Sequence, residues 1–301
     1  MSERPPVAVF VYARPEHTRR SLDALARNTG AVDTDVTVFC DGARGDQDRD
    51  QVDAVARVVA ETTGFRSLKI VRRDRNFGLA DNIIAGVSEV AERAGRVIVL
   101  EDDIETAPGF LDFMAAALDR YCDDEQVWHV SGWLYDIDRT GLPEYFLWPV
   151  MNCWGWATWS DRWAQFDRDP ERIDREWDAD MKRRFNLDGA HDFYAQITGN
   201  LEGRIRTWAI FWYATIFENN GVCLSPTQPF LRNIGLDGSG ENSGVGRAQQ
   251  LDRGREFDGL PGDIGPSPET VLRVSRHLKP RGIRRLAKSV RSRLRGAVVN
   301  R

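Results

Sequence analysis

The sequence predicts an α/β protein, a mostly parallel sheet flanked by helices, and three observations predict it. Short apolar runs alternate with longer stretches of helical periodicity, the pattern of parallel strands joined by right-handed crossovers. The run Val97-Ile98-Val99-Leu100 is apolar throughout, as a strand covered on both faces must be. Each early run also gives way to a polar residue, Arg14, Asp41, Asn76 and Asp103 in turn. In a parallel sheet these share one rim, where open α/β sheets take ligands.

In order, Val7–Tyr12 reads as a buried strand, and Pro15 sits in the first turn of a helix whose face carries Leu22, Leu25 and Ala26. Val36–Cys40 is a second strand ending at Asp41-Gly42, followed by a helix with Val52, Val55, Val58 and Val59. Leu68–Val71 is a third strand. Asn76-Phe77-Gly78 turns into a helix with Ile83, Ile84 and Val87, and the apolar strand at residue 97 follows. That strand runs into Glu101-Asp102-Asp103. Adjacent carboxylates repel one another unless something positive sits among them. Carboxylate oxygens suit Mg2+ or Mn2+, and such a cation completes its shell with phosphates and water. The triplet therefore reads either as a metal–diphosphate site or as a solvated acidic turn ahead of the helix expected over 108–121. Arg14, Asp41, Asn76 and Gly78 each have plainer readings as a surface cation or turn residues; it is their joint placement that points to a ligand.

The second half is less regular. Val127–Trp133 reads as a fifth strand. Residues 152–163 are dense in tryptophan; Trp133, Trp154 and Trp156 are expected to offer faces to sugar rings, Trp159 and Trp163 to fill core. Helical segments are expected over 168–187, 191–201 and 208–219, and strands at Val222–Leu224 and 230–234. Residues 235–244 contain four glycines and suggest a lid over a diphosphate, or a connector. Residues 251–270 read as linker. Residues 271–301 hold eleven Lys or Arg and no acid, with Ile283, Leu286, Val290 and Leu294 on one face. This is a basic amphipathic helix, expected to lie on an anionic membrane surface through residues 280–301. An apolar face adds nothing to phosphate binding, so no nucleic acid is expected. A solvated helix docked on the domain is the plainer reading.

The formal net charge of −5 hides this asymmetry: without the basic tail the remainder carries about −16. The four cysteines show no paired spacing, which argues against a disulfide framework or a zinc cluster and suits a reducing cytoplasm. No stretch is long and apolar enough to span a membrane. The first crossover lacks the Gly-x-Gly-x-x-Gly of dinucleotide enzymes.

The assembled pattern resembles the GT-A-fold glycosyltransferases, a Rossmann-like family, in particular the bacterial family-2-like enzymes and the N-acetylglucosaminyltransferase I type. Arg14-Pro15-Glu16 through Leu22 is similar to the family's first loop, Cys40-Asp41-Gly42 to its second strand end, and Asn76-Phe77-Gly78-Leu79 to its Asn-x-Gly turn. Glu101 through Phe110 is similar to its metal motif, and Val127–Trp133 with Gly155-Trp156 to its acceptor-side segments. The resemblance implies one domain over 1–250, with a nucleotide-sugar half (1–121) and an acceptor half (122–250). It implies Asp103 as ligand to Mn2+ or Mg2+, and Arg14, Asp41, Asn76, Gly78, Glu101 and Asp102 around the donor, a UDP-sugar being favoured. It implies transfer of a hexosyl or N-acetylhexosaminyl group, with inversion, to a saccharide or lipid-linked acceptor in polysaccharide biosynthesis, by a cytoplasmic enzyme on the inner face of the membrane. An inverting enzyme needs a carboxylate base. In the family it lies in a Trp-Asp-rich segment; here Thr207-Trp208-Ala209-Ile210-Phe211-Trp212 stands there, with no carboxylate between Arg204 and Phe217. Glu202, Asp237 and Asp161 are the nearest candidates. Two rivals stay open: a sugar-nucleotide-binding protein that has lost its base, and a nucleotidyltransferase, which usually brings a Gly-rich phosphate loop that is missing here.

Overall fold

The structure is a computed structural model that describes residues 4–238 and 249–279. Its first half follows the expected alternation: β1 (Val7–Val11), α1 (Pro15–Ala26), β2 (Asp35–Cys40), α2 (Asp46–Glu61), β3 (Ser67–Arg72), α3 (Leu79–Ala94) and β4 (Arg96–Glu101). The four strands are parallel, in the order β3-β2-β1-β4. Every residue of β1 is buried, as its all-apolar sequence demands. β3 alternates between exposed and half-buried residues because it forms the sheet edge, and Lys69 on it pairs with Glu89.

Beyond β4 the sheet becomes mixed. The elements are β5 (Ile104–Thr106), α4 (Phe110–Arg120), β6 (Val127–Ser131), β7 (Tyr145–Trp148), β8 (Trp156–Trp159), α5 (Ser160–Trp163), α6 (Pro170–Glu176), α7 (Ala179–Phe185), α8 (Tyr194–Leu201), α9 (Ala209–Glu218), β9 (Val222–Pro226), β10 (Leu231–Asn233) and α10 (Pro268–Leu278). The sheet continues β4-β8-β6-β9-β7, with β8 antiparallel to β4 and β6, and β7 antiparallel to β9. β5 and β10 form a separate antiparallel pair.

Three expectations are corrected. The charged segment 168–187 is two short helices, each capped by its own aspartate, Asp169 onto Arg172 N–H and Asp178 onto Met181 N–H. Trp156, expected to face a sugar, lies instead in a strand, Trp156–Trp159, between β4 and β6, whose alternation puts Trp156 and Trp159 on opposite faces. The linker expected over 251–270 is packed onto the domain. The Gly109 N–H donates to Arg255 C=O, the Arg255 guanidinium lies 3.6 Å from the Phe230 ring centroid, and Leu147 pairs with Pro266. Ser267 then caps α10, which buries Val274. Residues 280–301, expected to meet a membrane, lie outside the described residues, as do 239–248 of the Gly-rich loop. No described helix is long and apolar enough to cross a membrane.

Apolar side chains cover both faces of the sheet. On the face of α3, Phe10 and Phe39 stack at 5.0 Å and press on Gly86. A Cβ at Gly86 would fall 2.6 Å from the Phe10 ring. Gly86→Ala gains at most about 1 kcal/mol of helix propensity and loses about 1–3 kcal/mol to overpacking. The variant should therefore be less stable by roughly 1–2 kcal/mol in urea denaturation; a gain would show that the ring yields freely.

Candidate functional site

The carboxyl ends of β1 and β4 lie side by side, since Phe10 pairs with Glu101. β4 stops at Glu101 and residues 102–103 form a turn into β5, with Glu101 and Asp103 lining one cavity that Asp102 does not reach. Asp102 is buried against the end of β1: it accepts the Tyr12 N–H at 3.2 Å and both Nε (3.3 Å) and Nη2 of Arg14. Ser21 of α1 donates to its backbone carbonyl at 2.7 Å. Arg14 Nη2 also reaches Asp103 Oδ2 at 3.0 Å. Burial works against the Arg14 charge, yet the two aspartates raise its pKa above the usual value. The repulsion that the bare triplet implied is thus met by one guanidinium.

Two atoms of this cluster are buried without a hydrogen-bond partner among the described residues: Asp103 Oδ1 and Arg14 Nη1. The backbone of residues 233–235 closes over Asp103; the Ile234 N–H donates to Asp103 C=O at 2.8 Å, and a Cβ at Gly235 would sit 2.3 Å from Asp103 Oδ2. A side chain there would have to push the Asp103 carboxylate aside.

Glu101 and Asp103 open into a cavity of about 370 Å³ whose walls include Trp133, Trp154, Asn152, Thr207 and Trp208. Burial, then the neighbouring Asp103 and Asp102, push the Glu101 carboxyl up to about 8 from an ordinary 4.5. Its neutral form therefore stabilises the metal-free protein fully below about 4.5, and that contribution is lost as pH rises through about 8. Glu101→Gln, neutral throughout, should gain on the wild type across this window. The expected gain near pH 8 is on the order of 2 kcal/mol, because water in the cavity screens part of the effect. Urea denaturation in a chelator at the two ends of the window checks it; a constant difference would mean that Glu101 carries no such linkage.

Asp41 is held differently from the expectation. Its carboxylate accepts the N–H groups of Gly42 (2.9 Å), Phe77 (2.8 Å) and Gly78 (2.9 Å) and the Asn76 amide (3.2 Å). Burial raises its pKa against these lowering contacts. Its oxygens are used in tying the 76–78 turn to the end of β2, which makes Asp41, Asn76 and Gly78 one positioning unit rather than free donor contacts.

The candidate bases separate. Asp161 caps the far end of β8, where Trp159 pairs with Arg96 at the amino end of β4, and it is exposed beside Arg162. It lies at the wrong edge of the sheet. Glu202 is exposed at the end of α8, paired with Arg204, and is not in the cavity wall. Asp237, two residues past Gly235, meets His17 Nε2 of α1 at 3.2 Å and so lies on the rim that carries Arg14.

Trp133 and Trp154 form an edge-to-face pair at 4.6 Å in the cavity wall. Trp156 does not join them: fully buried, it stacks between His129 (5.3 Å) and Trp208 (5.2 Å) as core. Burial holds His129 neutral, down at about 3. Trp212 Nε1–H donates to its Nδ1, so Nε2 carries the hydrogen and donates to Asn152 C=O at 3.1 Å, fixing the start of the segment that presents Trp154. Sequence reading passed over Tyr135, Asn152, Asn233, Gln249 and His277, all in the walls of this region. Tyr135 and Asn152 flank the tryptophan segments without sharing their pattern, Asn233 ends β10, and Gln249 and His277 lie in the C-terminal part of the chain, far from every motif.

Asp103 and Glu101 are the side chains that could meet a divalent cation at the carboxylate end of the site. Asp103 Oδ1 is bare, Glu101 faces the same space, and the neutral acid it would otherwise be regains its charge beside a cation. Among the described residues no group of three or more His, Cys, Asp or Glu could hold a metal. A cation bound there would have to take its further ligands from a phosphate or water, as Mg2+ does.

No protein-family model matches the sequence, and no curated protein matches it. Among solved structures the chain is similar to S. aureus TarS, at 17% identity and a TM-score of 0.28, over 39% of this chain and 20% of that one. The likeness spans a fifth of TarS, and at that TM-score the two chains share too little of their course for one to instruct the other.

Proposed function

We propose that the chain is a metal-dependent glycosyltransferase that moves a sugar from a nucleotide-diphosphate sugar, a UDP-sugar being favoured, to a saccharide or lipid-linked acceptor. The observation that carries this is that, at the adjoining ends of β4 and β1, Asp103 Oδ1 and Arg14 Nη1 are both buried with no partner among the described residues, Asp103 lining a tryptophan-walled cavity. One atom asks for a cation and the other for an anion, and a metal diphosphate is both.

Asp103 and Glu101 would hold Mn2+ or Mg2+, which when bound offsets the negative charge of the departing diphosphate. Arg14 keeps Nε and Nη2 on Asp102 and Asp103 and would offer Nη1 to the phosphates. The sugar lies in the cavity toward Trp133 and Trp154. The acceptor oxygen bonds to the anomeric carbon as the carbon–oxygen bond to phosphate breaks, and the hydroxyl proton passes to a base. Asp237 is the carboxylate we assign to that step: it follows two residues after the backbone packed on Asp103 and meets His17 on the rim that carries Arg14, although like Glu202 it is not in the described cavity wall. Inversion follows if it acts from the face opposite the diphosphate.

The test is release of nucleoside diphosphate from a panel of nucleotide sugars, with and without Mn2+. Metal-dependent release from one donor supports the enzyme. Metal-dependent binding with no turnover of any donor, membrane extract included as acceptor, supports the second reading, a binding protein. That reading is favoured by one fact: the carboxylates in the described wall of the inner cavity are Glu101 and Asp103, both committed to the cation. Absence of binding overturns both.

A further inference from the structure

A second chamber, of about 570 Å³, adjoins the first and shares Trp133, Tyr135, Trp154 and Asn233 with it. Its far wall comes from the C-terminal part of the chain: Gln249, Gln250 and, on α10, His277, whose ring lies 5.9 Å from that of Tyr135. The aromatic side chains stand edge to face, Trp133 against Trp154 at 4.6 Å and against Tyr135 at 4.8 Å. Perpendicular rings offer flat faces in more than one direction.

The polar atoms along this route are unusual. Asn152 Nδ2 in the inner chamber, Trp133 Nε1 at the junction, and both Nε2 and Oε1 of Gln249 in the outer chamber are buried with no hydrogen-bond partner among the described residues. Trp133 and Asn152 are each more than nine-tenths buried. Buried amides and indole N–H groups are normally paired, because leaving them unpaired is costly. Here they are strung through two joined chambers between aromatic faces. Apolar faces alternating with lone donors and acceptors complement a molecule that alternates C–H faces with hydroxyl groups.

We infer that the acceptor is an oligosaccharide of at least two rings, its terminal ring in the inner chamber and its penultimate ring in the outer one, read by Gln249 and His277. This rests on the transferase reading for the inner chamber but goes further, since a single-ring acceptor would leave the outer chamber without a role. A lipid tail directly after the first sugar would face the unpaired Gln249 amide and is disfavoured.

The experiment is saturation-transfer NMR on the full chain, without donor, against methyl glycosides of common hexoses and of the matching disaccharides. Binding of UDP with Mn2+ is measured separately on the same preparation, so the donor site stands or falls on its own reading. At least one disaccharide should bind about tenfold more tightly than its monosaccharide, and Gln249→Ala should bring the disaccharide down roughly 3–10-fold while leaving the monosaccharide unchanged. His277→Ala, on a different element, should act in the same sense. Equal binding of both lengths, equal loss of both in the variants, or no binding of any glycoside overturns the inference, whatever UDP does.

Discussion

Asp103→Ala should abolish Mn2+-dependent transfer, lowering kcat/KM by roughly 10³-fold or more, with little loss of stability. The two halves of this expectation come from different atoms. The backbone carbonyl of Asp103, which accepts the Ile234 N–H at 2.8 Å and holds down the 233–235 segment, survives the substitution. The side chain contributes Oδ2 to Arg14 and leaves Oδ1 buried and bare. Its removal takes one negative charge out of a cluster that also holds Asp102 and Glu101, so the fold gains from reduced repulsion about what it loses from the Arg14 contact. Asp103→Asn keeps the shape and removes only the charge; it should lose activity almost as fully. Retention of Mn2+-stimulated turnover by either variant would take the metal away from this strand end.

How much of this could be read from the sequence depended on whether a residue's job was local. The end of β4 was legible because an apolar run stopping on three carboxylates is a local contradiction, and only a cation or guanidinium resolves it. Arg14 was legible for the same reason from the other side. Asp41 was placed correctly at the strand rim, yet what it touches depends on the 76–78 turn lying beside it, some 35 residues away. Trp156 was misread as a sugar-facing ring because a run of tryptophans carries no sign of which members are buried; only its pairing with β4 and β6 buries it. Asp161 failed by direction: β8 runs antiparallel, so a residue just after it falls at the opposite edge from one just after β4. The 251–266 segment has no periodicity at all, and its packing rests on single contacts such as Arg255 on Phe230. Gln249 and His277 could not have been found without it.

Arg14→Met should be the most destabilising single change at the site, and its cost should depend on pH. Breaking a buried ion pair by removing one partner costs about 3–5 kcal/mol, since the other charge stays buried without compensation. Here one guanidinium serves two buried aspartates and faces a third carboxyl, and methionine keeps much of the volume. Without Arg14 the folded-state pKa values of Asp102 and Glu101, which burial already raises against the lowering effect of the guanidinium, move further above those of the unfolded chain. Stability lost at neutral pH is then recovered as the pH falls toward the unfolded values, about 4, and is lost again as it rises. Urea denaturation of wild type and variant near pH 7.5 and near pH 5 should show the deficit shrinking by roughly half at the lower value. A deficit equal at both would mean that Arg14 acts through packing and hydrogen bonds alone. Arg14→Lys sharpens the point: it restores the charge but not the fork that spans Asp102 and Asp103 while leaving Nη1 over. It should recover a good part of the stability and little of the metal-dependent nucleotide binding. If it recovers both, the site needs a positive charge there and nothing more. If it recovers only stability, the same guanidinium holds the strand ends together with some of its donors and keeps Nη1 for the ligand.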